Sequence, residues 1–230
     1  MIRAFALAAA LLAPPPAAAD FVLSNLRFTL YHEIGHAVID QARVPVFGPE
    51  ETMADGFALV LADRLHPEGE MADLITEMTR LGRAEAAEEL FEPWEEYMPG
   101  AQRTAWSICV WYGLNPRERG DLAHALGMPA DRDRQCAETG RALRSAWGPV
   151  LDRLRPGPGD EGTLSAGRTG KALRLLSRDI DRLNDALALP RRTPMTVESC
   201  GQDNAYYYHY DDRIVFCSEM VDALLRRAAR

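Results

Sequence analysis

The run Tyr31-His32-Glu33-Ile34-Gly35-His36 lies in a segment whose apolar residues, Leu23, Leu26, Leu30, Ile34 and Val38, return every three or four positions. That spacing predicts one long helix over Phe21 to Ala42 with this face towards a core. Residues four apart on a helix stack one turn apart, so His32 and His36 can grip a single metal ion without help from the rest of the fold. Glu33, one position on from His32, can reach a water at that metal without ligating it. Two nitrogen ligands and a carboxylate base at this spacing are the donor pattern of zinc-dependent hydrolysis. His32 and His36 are therefore candidate metal ligands and Glu33 the candidate catalytic base. The bland alternative is a pair of histidines hydrogen-bonded in a helical core.

A catalytic zinc takes three protein ligands and keeps one position open. One zinc-enzyme pattern places Gly and then His three and six residues beyond the second histidine. Here those positions hold Ile39 and Ala42, which removes that solution. The turn Val44-Pro45-Val46-Phe47-Gly48-Pro49 ends the first helix and lets a second, from about Glu50 to His66, fold back on it. Glu51 is then the candidate third ligand. Asp55, one turn further on the same face, is the candidate acceptor for the outer N–H of a ligand histidine. Glu50 competes for the ligand role and Asp40 is a more distant rival. Acidic residues at a helix start can also serve the helix dipole alone.

At 230 residues, 47% hydrophobic and 26% charged, the chain is long enough for one well-buried core. Its net charge of −8 and lack of any basic stripe argue against nucleic acid as a partner. Residues 1–19 read as a signal peptide: Arg3, the apolar run Ala4 to Ala13, prolines to Pro16, then Ala17-Ala18-Ala19 before cleavage at Asp20. An uncleaved membrane anchor is the alternative. The mature domain would be 20–230, with no later segment apolar enough to span a membrane, and the address periplasmic or secreted. Oligomeric state leaves no trace in the sequence. In an oxidising compartment Cys109, Cys136, Cys200 and Cys217 favour disulfides, and none sits in a Cys-x-x-Cys pair. Cys109–Cys136 and Cys200–Cys217 pair neighbours within one region and are the preferred connectivity of the three possible. A free buried thiol is the alternative for Cys109.

Further along, helical propensity runs through the acidic stretch Glu68 to Glu96, where a solvated face is the plain meaning and a preference for basic substrates the rival. Helices are expected at Thr104–Tyr112, from Pro116 through Leu126, at Asp131–Leu154, at Leu173–Leu187 and at Ser218–Arg227. Pro156 to Gly170 reads as a loop, Thr196-Val197 as a short strand, and Asn204–His209 with Arg213–Phe216 as a hairpin. The fold class is α+β: a predominantly helical single domain with a small antiparallel sheet or hairpin and a zincin-like active-site helix.

The His-Glu-x-x-His helix followed by Glu51-Thr52-Met53-Ala54-Asp55 is similar to the gluzincin arrangement, of which thermolysin is the best-known member. More closely, the chain resembles a bacterial family of zinc metallopeptidase-like proteins otherwise described as a domain of unknown function. The residues that carry this are Phe21 to Asn25, Leu30 to Asp40, Glu51 to Ala58, Gln102-Arg103, Cys109 with Tyr112-Gly113, Cys136, Trp147, Cys200-Gly201, Asn204 to Tyr207 and Ile214 to Glu219. The resemblance implies Zn2+ and hydrolysis of peptide bonds in a peptide or protein substrate. It also implies that Asn204, Ala205, Tyr206 and Tyr207 form an edge strand holding substrate backbone, although here that strand follows the metal helix whereas in thermolysin it precedes it. A plain hairpin with packed tyrosines is the competing reading. An oxyanion donor is expected among Tyr206, Tyr207, Tyr208, His209 and Tyr210. Two rival functions stand beside the enzyme: a catalytically silent zinc-containing protein that binds peptide in the envelope, and a helical interaction module.

Overall fold

A computed structural model describes residues 16–90, 92–160, 162–167 and 170–229. Most of the expected signal peptide, residues 1–15, lies outside them. Helix α1 (Pro16–Gln41) is the central element and packs against α2 (Glu50–Leu65), α3 (Glu68–Ala86), the last helix α9 (Met220–Ala228) and strand β3 (Ala205–Tyr208). Being covered on several sides, it is apolar around much of its circumference. Leu26, Leu30, Tyr31 and Ile34 are fully buried, as are Phe57 of α2 and Met71 and Leu74 of α3. Each such large side chain contributes about 1.5–3 kcal/mol through burial.

The acidic stretch departs from the expected helix. Helix α3 stops at Ala86, and residues 87–99 form a loop that returns towards α1. Pro93 disfavours helix in the residue before it, and Glu85, Glu88, Glu89 and Glu92 would set like charges at the unfavourable C-terminal end of the dipole.

Helices α4 (Gly100–Leu114), α5 (Pro116–Ala125) and α6 (Asp133–Arg153) follow, with a 3-10 turn at Ala130–Arg132. Helices α4 and α6 cross with their backbones in direct contact at Gly113 and Gly140. A Cβ on Gly113 would fall on the Cys136 carbonyl, and one on Gly140 would fall on the backbone of Gly113. One turn back on each helix, the disulfide Cys109–Cys136 ties the same crossing. A second disulfide, Cys200–Cys217, closes the loop leading into β3.

The C-terminal third holds β1 (Leu164–Ala166), α7 (Lys171–Leu175), α8 (Ser177–Ala186), β2 (Thr193–Glu198), β3 and β4 (Arg213–Cys217). The expected Leu173–Leu187 helix is thus two helices, broken at Leu176. The expected hairpin is β3–β4, antiparallel with Tyr206 opposite Val215. Two strands extend it in parallel, giving the order β1-β2-β4-β3. β1 is only three residues inside the glycine-rich loop, too short for a sequence signal. β3 is an edge strand and packs near α1.

The Gly113/Gly140 crossing predicts that Gly140→Ala lowers stability by about 1–3 kcal/mol, the cost of forcing an extra methyl into packed backbone. Gly48→Ala, where a Cβ would meet nothing within 4 Å, should stay within about 0.5 kcal/mol of wild type. Chemical denaturation midpoints of the oxidised protein measure both.

Candidate metal centre

Helices α1 and α2 approach most closely where Gly35 faces Ala54: a Cβ on Gly35 would stand 3.0 Å from the Ala54 Cα. Two small residues at this point let the backbones close up, and Ala54 is flanked by Asp55 and, one turn earlier, Glu51. The contact therefore lowers both acids of α2 onto the histidines of α1.

His32 Nε2 lies 3.0 Å from Glu51 Oε2 and 3.0 Å from His36 Nε2, and His36 Nε2 is 3.4 Å from Glu51 Oε2. These three residues could hold a metal ion, their ligand atoms all lying within 4.8 Å of one another. The outer nitrogens are taken by carboxylates, His32 Nδ1 by Asp55 at 2.8 Å and His36 Nδ1 by Glu50 at 2.8 Å. A carboxylate only accepts, so each Nδ1 carries the hydrogen and each Nε2 presents its lone pair to the shared spot. Three acceptors aimed at one spot repel unless a cation, a proton or a metal ion, sits among them. That donor set, two imidazoles and one carboxylate, fits a zinc site with an open position.

The titration behaviour agrees. Burial disfavours charge on His32, yet its hydrogen bonds to Asp55 and Glu51 outweigh that and push it up to about 9. His36 is raised for the same reasons, against its own burial, by Glu51 and its neighbours. Glu51 resists burial through hydrogen bonds from His32, His36 and Tyr97, which hold it well below the usual carboxylate range. Glu33 is buried beside the pair, and burial raises its carboxyl despite both imidazoles.

Two residues given no role in the sequence reading complete the surroundings. Arg103 of α4 binds Asp55 through two nitrogens, both at 2.7 Å, and keeps that acid ionised against its burial. Tyr97, at the end of the 87–99 loop, stacks on His32 with ring centroids 6.3 Å apart, and the Arg103 guanidinium lies 4.6 Å from its ring centre. Burial, with the hydrogen bond to Glu51, raises the Tyr97 phenol well above its ordinary value. Arg103 belonged to the residues carrying the family resemblance. Tyr97 gave no signal beyond being an aromatic in an acidic loop.

Two cavities meet at this centre. One of about 410 Å³ runs from His32 and Glu33 past Phe28, Ile75 and Met78 to Asn204. The other, about 580 Å³, is lined by Glu33, His36, Glu50 and Glu51 on one side and Ala205, Tyr206 and Tyr207 on the other. The suggested substrate strand thus borders the candidate base and ligands. Cys217 N–H donates to Asn204 O at 2.9 Å, so by antiparallel alternation Tyr206 bonds towards β4 while Ala205 and Tyr207 turn their backbone groups to the free edge. The Tyr207 amide reaches the Glu33 carboxylate. Asp40 lies away from the ligand atoms, binding the Tyr207 hydroxyl at 2.8 Å and Arg191 at 2.8 Å.

Paired imidazoles, a glutamate and a buried second carboxylate at the junction of two cavities define a candidate metal-dependent hydrolase centre. The chain belongs to the family described as "Putative metallopeptidase", whose model matches residues 9–151. That span takes in His32, Glu33, His36, Glu51, Asp55, Tyr97 and Arg103 and ends before β3. No curated protein and no solved structure matches the chain.

With His32 held up to about 9, the metal-free protein carries at least one proton on the cluster at pH 7. A metal needs neutral imidazoles, so zinc addition at pH 7 should release about one to two protons per chain. Calorimetric titrations in buffers of different ionisation enthalpy count them. Because Glu51 faces Nε2 and Glu50 faces Nδ1, Glu51→Ala should abolish tight zinc binding, while Glu50→Ala should weaken it by about 10-fold to 100-fold. The reverse ranking would reassign the third ligand.

Proposed function

We propose that the protein is an exported zinc metallopeptidase in which His32, His36 and Glu51 hold the zinc and Glu33 is the general base. The observation that carries this is the buried Glu33 carboxylate, set beside both imidazoles where the two cavities join and under the free edge of β3. Bound at that spot, zinc supplies a Lewis acid that brings a water's pKa down to about 7.

The chain's own groups do the rest. Glu33, its affinity for a proton increased by burial, takes a proton from the water as the water oxygen bonds to the scissile carbonyl carbon. It returns that proton to the amide nitrogen as the C–N bond breaks, leaving a carboxylate and an amine. Asp55 and Glu50 keep the imidazoles in the tautomer that ligates, and Arg103 keeps Asp55 charged. The outward carbonyls of Ala205 and Tyr207 offer an extended peptide acceptors along the strand, while Tyr207's amide fixes that edge relative to Glu33. Asn204 shapes the start of the strand, its side chain accepting from the Ala205 amide at 2.9 Å. The substrate is a peptide or protein segment able to lie extended along this edge.

Export rests on the residue 1–19 signal pattern and fits a chain with two disulfides and no free cysteine among the described residues. None of the described helices is long and apolar enough to cross a membrane. Cleavage before Asp20 would leave the chain starting inside α1, twelve residues ahead of His32.

The test is zinc per chain in residues 20–230 purified from an oxidising compartment, followed by a peptide-library screen. About one zinc per chain is expected for a three-ligand site, lost in His36→Ala. Glu33→Gln should keep the zinc and lower turnover by about 10²-fold to 10⁴-fold. No zinc after incubation with it, or unchanged turnover in Glu33→Gln, would overturn the reading.

A further inference from the structure

Attack on a peptide carbonyl moves its π electrons onto oxygen, and a fixed hydrogen-bond donor aimed at that oxyanion is worth about 10²-fold to 10³-fold in rate. Of the hairpin tyrosines, first suspects in the sequence, Tyr207 is engaged elsewhere: its hydroxyl bonds Asp40 at 2.8 Å and Asp212 at 2.9 Å. Tyr206's hydroxyl accepts from Gln202 and keeps its own hydrogen. Tyr208 lies under the Arg213 guanidinium at 4.7 Å, and Tyr210 is 95% exposed. Tyr206 and His209 line the larger cavity and remain rivals.

Tyr97 is placed differently. It and Glu33 are the two residues that line both cavities, so the phenol stands at their junction with the base. Its hydroxyl bonds Glu51, which sets it beside the candidate ligands, and its ring is held by the His32 stack and the Arg103 guanidinium. With its ring held, the phenol has only to turn its O–H from Glu51, whose oxygens a bound metal would engage, to meet charge appearing beside the cluster.

We infer that Tyr97 is a catalytic residue whose O–H donates a hydrogen bond to the oxyanion formed when water adds to the scissile carbonyl. The inference rests on the metallopeptidase reading. No proton leaves Tyr97: the water proton goes to Glu33 and then to the departing amine, and the phenol only donates a hydrogen bond. Arg103 is a positioning residue for it, acting through the ring.

The experiment compares the zinc-loaded full mature chain with its Tyr97→Phe, Tyr206→Phe and His209→Asn variants by two measurements. The first is hydrolysis of a library-selected peptide. The second is calorimetric binding of a peptidyl phosphoramidate, whose tetrahedral P–O⁻ stands in for the oxyanion. For Tyr97→Phe the expected result is one zinc per chain, kcat lower by about 10²-fold to 10³-fold, KM within about threefold, and phosphoramidate binding weakened about as much as kcat. Turnover and phosphoramidate binding within threefold of wild type would overturn the inference, as would the same losses appearing in Tyr206→Phe or His209→Asn instead. A Tyr97→Phe defect that excess zinc repairs would also overturn it, reducing Tyr97 to a support for Glu51. Should the wild type cleave no peptide while phosphoramidate binding still depends on Tyr97, the peptidase reading fails and the donor stands.

Discussion

The close approach of α1 and α2 at Gly35 and Ala54 is the constraint on which the candidate centre depends. His32 and His36 are set one turn apart by helix geometry alone, but a third donor has to come from another element. Only a backbone-to-backbone approach brings a side chain as short as glutamate to both imidazoles. The same contact seats Asp55 behind His32, so one pair of small residues fixes both the ligand side and the orienting side of the histidines. The Gly113/Gly140 crossing repeats the device between α4 and α6, and because α4 carries Arg103, its placement reaches Asp55.

Electrostatics explains why so many charges tolerate burial here. His32 touches Asp55 and Glu51, and Asp55 is bound through both oxygens by Arg103. Each ion has a partner with hydrogen-bond geometry, which is the condition for keeping charge out of water. The cluster carries more carboxylates than fixed cations, so it attracts a proton or a metal ion. The field that raises His32 is the field a divalent cation would enjoy. Glu33 differs, since burial outweighs its neighbours and increases its affinity for a proton, as suits a base.

The sheet gives the centre a border. β3 is short, at an edge, and held in place by Tyr207, whose hydroxyl ties it to the end of α1 while its amide meets Glu33. Three of the four residues suggested as a substrate strand line the cavity beside His36 and Glu51, and Asn204 lines the cavity on the other side of Glu33. Tyr207's role is the one that changed most: its hydroxyl is spent on structure, and its backbone faces the cleft.

Local signals made much of this legible. The three-and-four apolar spacing marked α1, the Pro/Gly turn marked the fold-back to α2, and aromatic and β-branched residues on either side of Asp211-Asp212 marked the hairpin, because each depends on neighbours a few residues apart. His32, Glu33 and His36 were readable for the same reason. What needed the tertiary structure depends on distances between elements. Glu50 and Glu51 are adjacent in sequence and equally acidic, and the angle at which α2 crosses α1 decides that one faces Nε2 and the other Nδ1. Tyr97 reaches the centre because Pro93 and a run of like charges end α3 and return the chain across His32. β1 and β2 join the hairpin through crossovers that no local pattern encodes. Sequence by itself determined the helix, the donor types and the candidate base; the packing of α2, α4 and the 87–99 loop around α1 decided which side chains share the site, since non-local contacts set those positions.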